Sequence, residues 1–157
     1  MSIFMKRAVR LLVAAALAAL MAMAAGCGGT PEEPGRGSID DYYVEIVSAQ
    51  LTRNYERKPT VIVNFSWTNN SDGSQSFEMA FIDKAYQGGA ECAKTYSADG
   101  FMDRTAYMNI KPGGSIEVQR AYVLVDESTP VQVEVEGFIT YSNAKIVRTL
   151  SIDPARG

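Results

Sequence analysis

Six segments of the chain alternate apolar and polar residues with a period of two, which is the spacing of a β-strand that buries one face. The clearest is residues 60–68, where Val61, Val63, Phe65 and Trp67 fall on one face. The other predicted strands span residues 42–52, 76–84, 115–125, 131–141 and 144–152. The spacing of an amphipathic helix does not appear after residue 27, so the pattern predicts an all-β domain.

Three of these strands contain residues that shape the prediction. The third strand in chain order places Phe77, Met79 and Phe81 on one buried face. Arg120 interrupts the apolar face of the fourth strand. Gly137, in the fifth strand, indicates a bulge or a close approach of another part of the chain.

Residues that favour tight turns separate the strands. Asn, Gly, Ser and Pro are concentrated at residues 69–73, 87–89 and 111–114. Short antiparallel strands joined by such turns indicate an immunoglobulin-like β-sandwich, with a closed barrel as the alternative. The comparison with immunoglobulins concerns architecture alone, because no pair of cysteines flanks Trp67.

The first 26 residues have a different pattern, in which a basic head precedes a short apolar run. Lys6, Arg7 and Arg10 are followed by an uncharged apolar stretch at residues 11–25. This stretch is shorter than the roughly 20 residues that a membrane-spanning helix needs. We therefore interpret residues 1–26 as a cleaved signal peptide that exports the rest of the chain.

The apolar run ends at Ala24, Ala25, Gly26 and Cys27, which resembles the lipobox of bacterial lipoproteins, although leucine is more usual at position 24. In a lipoprotein this cysteine becomes the first residue, and its sulfur carries diacylglycerol with fatty acids such as palmitate. We predict that Cys27 is the lipid attachment site and holds the protein at the extracytoplasmic face of the cell membrane, since two acyl chains anchor a protein stably. An ordinary signal peptide followed by an incidental cysteine, and an uncleaved anchor, are the alternatives.

The residues after the signal peptide predict a tether and one domain. Residues 27–38 are rich in Gly, Pro and charge and contain no large apolar residue, so we expect a flexible tether before a β-sandwich domain at residues 39–157. Removal of the signal peptide takes away three of the 15 basic residues and none of the 18 acidic ones, leaving a net charge of −6. That charge argues against nucleic acid as a partner.

Four short motifs in the domain resemble an uncharacterised lipoprotein family of Gram-positive bacteria. They are Trp67-Thr68-Asn69-Asn70-Ser71, Ala85-Tyr86-Gln87-Gly88, Lys111-Pro112-Gly113 and Ala121-Tyr122-Val123-Leu124. Members of the family combine a signal peptide, a lipobox, a linker and one immunoglobulin-like domain of unknown function. The resemblance therefore implies a fold and a location but no active site. It also implies that Cys92 stands where a leucine is usual and is a buried, small hydrophobic residue.

The residue types of the common catalytic and metal sites are scarce in this chain. It has no His, and Cys92 is the only thiol besides Cys27, so neither a Ser-His-Asp or Cys-His site nor a zinc site is expected. We therefore expect no enzymatic activity, no metal and no cofactor. Acidic residues such as Asp99 and Asp103 leave a carboxylate- or metal-dependent enzyme acting on glycans as an alternative, but surface acids are more often simply solvated.

Residues 94–109 are the least strand-like part of the domain. We identify Tyr96, Phe101, Met102 and Tyr107 as a candidate contact surface, because long irregular loops are often functional and aromatic residues are enriched at interfaces. The alternative is that these side chains pack down and cap one end of the sandwich.

These observations predict a membrane-anchored, extracytoplasmic lipoprotein whose domain is a non-enzymatic binding or accessory module of the cell envelope. Its expected partners are the membrane, through the lipid anchor, and an envelope protein or glycan. The glycan-acting enzyme, and a small inhibitor-type lipoprotein that blocks a partner, are the alternatives.

Overall fold

The computed structural model describes residues 35–152, and of Asp103 only the backbone. The predicted signal peptide, Cys27 and the predicted tether as far as residue 34 lie outside the described residues, as do residues 153–157.

Nine strands and two short helices make up the described part of the chain. They are β1 (Arg36–Ile39), β2 (Tyr42–Arg53), β3 (Pro59–Asn69), α1 (Phe77–Ala80), β4 (Phe81–Gln87), β5 (Ala90–Glu91), β6 (Lys94–Thr95), a 3-10 helix (Asp103–Tyr107), β7 (Ser115–Val123), β8 (Val131–Gly137) and β9 (Lys145–Leu150).

The strands form two separate antiparallel sheets. One has the order β1-β2-β3-β7-β6 and the other the order β5-β4-β8-β9. Two facing sheets make a sandwich rather than one closed barrel, so the predicted antiparallel β-sandwich is confirmed. β1 and β9 lie at one side of the sandwich, and β6 and β5 at the other.

The core lies between the sheets, and the predicted inward face of β3 is confirmed. Val61, Val63, Phe65 and Trp67 are all fully buried. Trp67 meets Phe81 of the opposite sheet edge-on, with ring centroids 5.7 Å apart and an interplanar angle of 89°. This is one of the arrangements that aromatic pairs prefer, so these rings help to fix how the two sheets pack.

The prediction of one strand over residues 76–84 is wrong at its start, because α1 occupies residues 77–80. Ala80 N donates a hydrogen bond to Ser76 O at 3.0 Å, which closes one helical turn. The turn brings both Phe77 and Phe81 into the core, whereas Met79 is 52% exposed. Residues four apart lie on one side of a helix, so the same two phenylalanines fit either periodicity.

Gly137 ends β8, four residues before the predicted end of that strand. A Cβ atom there would lie 2.7 Å from Thr140 Cβ and 3.1 Å from Ile39 Cγ2. The expectation of a close approach at Gly137 is therefore confirmed, and the chain leaves the sheet at this point.

β1 begins at Arg36, inside the range predicted as tether, because its backbone pairs with β2 from Arg36↔Glu45 to Ile39↔Tyr42. Just before it, Gly35 has a φ of +96°, and a Cβ there would lie 2.5 Å from Arg148 Cδ. Arg148 Nη1 in turn donates to Val47 O at 3.0 Å, beside the bulge in β2. These contacts close the β1/β9 side of the sandwich.

A candidate contact surface over a buried charge cluster

The segment after β6 crosses the outer face of the five-stranded sheet. Asp99 N donates to Arg53 O at 3.0 Å, and Thr52 Oγ1 donates to Asp99 O at 2.9 Å, so the chain reaches the end of β2. Because β7 and β3 lie between β6 and β2, the segment passes over both. Its passage explains why Ile62 and Ala121 are buried although they alternate with the core-facing residues.

The segment then returns to β7. Met102 N donates to Gln119 Oε1 at 2.9 Å, and Gln119 Nε2 donates to Asn64 Oδ1 on β3 at 3.0 Å. The 3-10 helix follows and packs against β7 and α1. Ala106 of this helix is fully buried, so the helix is held down at its centre.

The candidate contact residues lie along β7. Tyr96 follows Thr95, which pairs with Ala121; Met102 is bonded to Gln119; and Tyr107 contacts Arg120. Tyr96 is 63%, Met102 68% and Tyr107 50% exposed, and Phe101 is half-buried. The alternative in which these side chains pack down against the sandwich does not hold for the three exposed ones.

A charged residue lies under this surface, on the inner face of β7. Arg120 is only 1% exposed, and its guanidinium carbon lies 5.6 Å from the centre of the Phe77 ring and 5.8 Å from that of Tyr107. It also forms an ion pair with Glu78, next to Phe77 on α1. Arginine between two rings combines cation–π attraction with an ion pair.

Asp83 connects the two sheets. It projects from the inner face of β4, is 3% exposed, and its Oδ1 lies 3.4 Å from Arg120 Nε. Its Oδ2 lies 3.0 Å from Lys94 Nζ and accepts a hydrogen bond from the Tyr122 hydroxyl. One buried carboxylate therefore meets two cations and a phenol, which compensates the cost of removing its charge from water.

Burial alters the titration of two members of this cluster. Desolvation, reinforced by the neighbouring Asp83 carboxylate, raises the pKa of Tyr122 well above its ordinary value. The phenol is therefore protonated at neutral pH and donates to Asp83. Desolvation lowers the pKa of Arg120, but an arginine retains its charge at physiological pH.

The cluster holds both ends of the crossing segment. Lys94 begins the segment and is paired with Asp83, and Tyr107 ends the 3-10 helix and stacks on Arg120. The exposed side chains between them are thus presented from an anchored backbone. Sequence reasoning noticed Arg120 as an irregularity but missed its partners; the available signal was Asp83, which shares a face with Phe81.

The motifs that carried the family resemblance have structural roles. Asn69 is fully buried, and its Nδ2 donates to Gly73 O at 2.7 Å and to Ile110 O at 3.0 Å. Its Oδ1 accepts from Ser71 N at 3.0 Å. This one amide therefore joins the turn after β3 to the loop before β7.

Gln87 has the same function at the other end of the sandwich. Its Nε2 donates to Asp126 O at 3.1 Å and to Thr129 O at 2.8 Å, and its Oε1 accepts from Val125 N at 2.7 Å. A fully bonded buried amide is favourable, whereas one that loses its partners is costly.

We expect Asn69→Ala to lower the free energy of unfolding by about 2–3 kcal/mol, because two carbonyls and one amide lose their partner. The exposed neighbour provides the matched control: Asn70→Ala should change it by less than about 0.5 kcal/mol. Urea denaturation of the three proteins measures both values. Equal effects of the two substitutions would contradict the role given to Asn69.

Cys92 lies in the core at 5% exposure, as predicted, and burial raises the pKa of its thiol.

Among the described residues, no group of three or more His, Cys, Asp or Glu side chains is placed to hold a metal ion. The Asp99 side chain is 74% exposed and lies 3.8 Å from Arg57, while Glu134 and Glu136 both contact Lys145.

No helix within residues 35–152 has the length and apolar character needed to cross a membrane.

Two solved structures share this fold. A candidate lipoprotein (ycdA) from Bacillus subtilis subsp. subtilis str. 168 has 16% sequence identity and a TM-score of 0.56, over 79% of this chain and 41% of its own. A candidate lipoprotein from Staphylococcus aureus subsp. aureus NCTC 8325 has 10% identity and a TM-score of 0.56, over 76% of this chain and 90% of its own. This chain thus spans less than half of the Bacillus subtilis protein.

Sequence comparison places the chain in a family. No curated protein matches it. A family model described as Domain of unknown function (DUF5067) matches residues 31–137, which is more than half of the chain. The resemblance inferred from the sequence motifs is thereby confirmed, and the chain belongs to the DUF5067 family of domains of unknown function.

Proposed function

We propose that this protein is a membrane-anchored lipoprotein of the bacterial envelope, attached through Cys27 with its β-sandwich on the extracytoplasmic side. The lipobox-like sequence at residues 24–27 supports the attachment. The two proteins of the same fold, both described as candidate lipoproteins and both from Gram-positive bacteria, support the location.

Within that setting the domain acts as a non-enzymatic binding module. The observation that carries this proposal is the exposed apolar surface of Tyr96, Met102 and Tyr107 along β7, on a segment anchored at both ends by buried charges. Aromatic and methionine side chains are enriched in the cores of protein interfaces. An already ordered surface also loses less conformational entropy on binding, which favours affinity.

The partner is an envelope protein or a glycan. Flat exposed aromatic side chains suit either, since they stack on sugar rings as well as pack into protein pockets. The ion pairs of three described acids, Asp83, Glu134 and Glu136, support a structural use of these carboxylates and so favour a non-enzymatic role.

Site-specific photo-cross-linking in intact cells tests the contact surface. A photoreactive phenylalanine analogue at Tyr96 should yield a discrete adduct with a protein or with cell-wall polymer. Tyr55, which is 75% exposed in the turn between β2 and β3, is the matched control and should yield none. The adduct at position 96 should weaken when Met102→Ser removes another apolar side chain of the candidate contact surface.

The proposed binding role would be wrong if positions 96 and 55 gave the same adducts, or if neither gave one while isolated cell-wall polymer also failed to retain the purified protein.

A further inference from the structure

A second exposed apolar feature lies in the loop between β8 and β9, close to β1 and thus away from β6 and Tyr96 at the other edge of the five-stranded sheet. Phe138 is 48% exposed, Ile139 80%, and Tyr141 is fully exposed. The Thr140 side chain of the same loop is turned to the domain: its Oγ1 donates to Asp40 and accepts from Ser142 N at 2.9 Å. The loop is thus anchored through Thr140 and presents its apolar side chains outward.

This loop, residues 138–141, lies near β1, the first strand of the domain. Gly137, just before it, approaches Ile39 at the end of β1, and Gly35 precedes the start of the same strand. At about 3.3 Å per residue, the four residues of β1 separate Gly35 from the start of the loop by about 13 Å. The candidate contact surface follows β7 and β6, and β6 is the opposite edge of the sheet from β1.

The length of chain before Gly35 limits how far this side can be from the lipid. Eight residues, 27–34, precede it when Cys27 is the attachment point. At a maximum of about 3.6 Å per residue, they reach no further than about 29 Å. Gly35 is therefore held within that distance of the bilayer surface, and residues 138–141, about 13 Å away along β1, are close enough to touch the bilayer.

We propose that the β8–β9 loop inserts Phe138, Ile139 and Tyr141 into the interfacial region of the bilayer and thereby orients the domain, with Tyr96, at the far edge of the five-stranded sheet, directed away from the membrane. This inference rests on the proposed lipid attachment of Cys27. The loop chemistry suits a lipid surface: residues 138–144 carry no charge, and tyrosine is enriched at membrane interfaces. The loop would be a second membrane contact beside the acyl chains.

A matched pair of tyrosine-to-tryptophan variants tests the orientation. Full-length protein carrying Tyr141→Trp or Tyr96→Trp, used as isolated from the expressing cells, is reconstituted into vesicles of phosphatidylcholine and phosphatidylglycerol, with and without brominated acyl chains. The buried Trp67 is common to both variants and serves as background. We expect brominated lipid to quench the added emission of Y141W at least about twofold more strongly than that of Y96W. Adding Ile139→Asp to Y141W should abolish this difference.

Flotation of the vesicles separates the two proposals. Protein that floats with the vesicles while Y141W and Y96W are quenched equally, or not at all, would overturn the orientation and leave the lipid anchor standing. Protein that fails to float would overturn the lipid anchor and the orientation together.

Discussion

Replacing Asp83 with alanine is expected to lower the free energy of unfolding by about 3–5 kcal/mol, the cost typical of removing one partner of a buried ion pair. Arg120 would remain buried at 1% exposure without the carboxylate that faces it from the other sheet, and Lys94 and Tyr122 would lose the same partner. Equilibrium unfolding in urea measures the loss.

A surface aspartate provides the control for this experiment. Asp99 is paired with Arg57 at 3.8 Å, and both side chains are more than 70% exposed. Asp99→Ala should therefore lower the stability by less than about 1 kcal/mol. Losses of similar size in the two variants would contradict a special role for the buried cluster.

The same cluster should govern the order of the crossing segment. In Asp83→Ala, amide hydrogen exchange within residues 94–109 should speed up relative to the strands of the four-stranded sheet, because one end of the segment loses its ion pair. The double variant D83L/R120M should recover part of the lost stability, since apolar residues of suitable volume can replace a buried ion pair. It should also weaken the stacking on Tyr107 and so leave the segment less ordered.

The sheets could be predicted from the sequence where each strand buries one face, and β3 is the clearest case. β1 could not, because Arg36, Gly37 and Ser38 show no apolar alternation, and this strand forms only by pairing with β2. α1 was missed because Phe77 and Phe81 satisfy both a period of two and the four-residue spacing of a helix.

The site could be predicted only in part. The residues of the contact surface are visible as apolar positions in an irregular segment, but their exposure depends on a path across β7 and β3 that local pattern does not encode. Arg120 stood out as a charge on an apolar face. Its pairing with Asp83 is a contact between two sheets, and sequence spacing carries no information on which strands face each other.

The substitution with the largest expected effect on location is Cys27→Ala. Without the thiol there is no atom to accept diacylglycerol, so the protein should lose acylation at that position. The apolar stretch at residues 11–25 is shorter than the roughly 20 residues of a spanning helix, so it is a poor substitute for the acyl chains. Loss of both acyl chains should release the domain from the membrane, because one weak apolar contact by itself holds a protein at a bilayer only reversibly.

The β-sandwich itself should be unaffected by this change, because residue 27 precedes the first strand by nine positions. The unfolding transition of the purified Cys27→Ala protein should therefore match that of a delipidated parent. The other cysteine gives the matched comparison, since Cys92 is buried at 5% exposure and its thiol is inaccessible to a modifying enzyme.

The most direct test of the lipid anchor is metabolic labelling with an alkyne-bearing palmitate analogue, followed by membrane fractionation, for the parent chain, Cys27→Ala and Cys92→Ala. We predict that the parent and Cys92→Ala carry the label and sediment with the membranes, whereas Cys27→Ala carries no label and is recovered outside the membrane fraction. A Cys27→Ala protein that is still labelled and still membrane-bound would contradict the account.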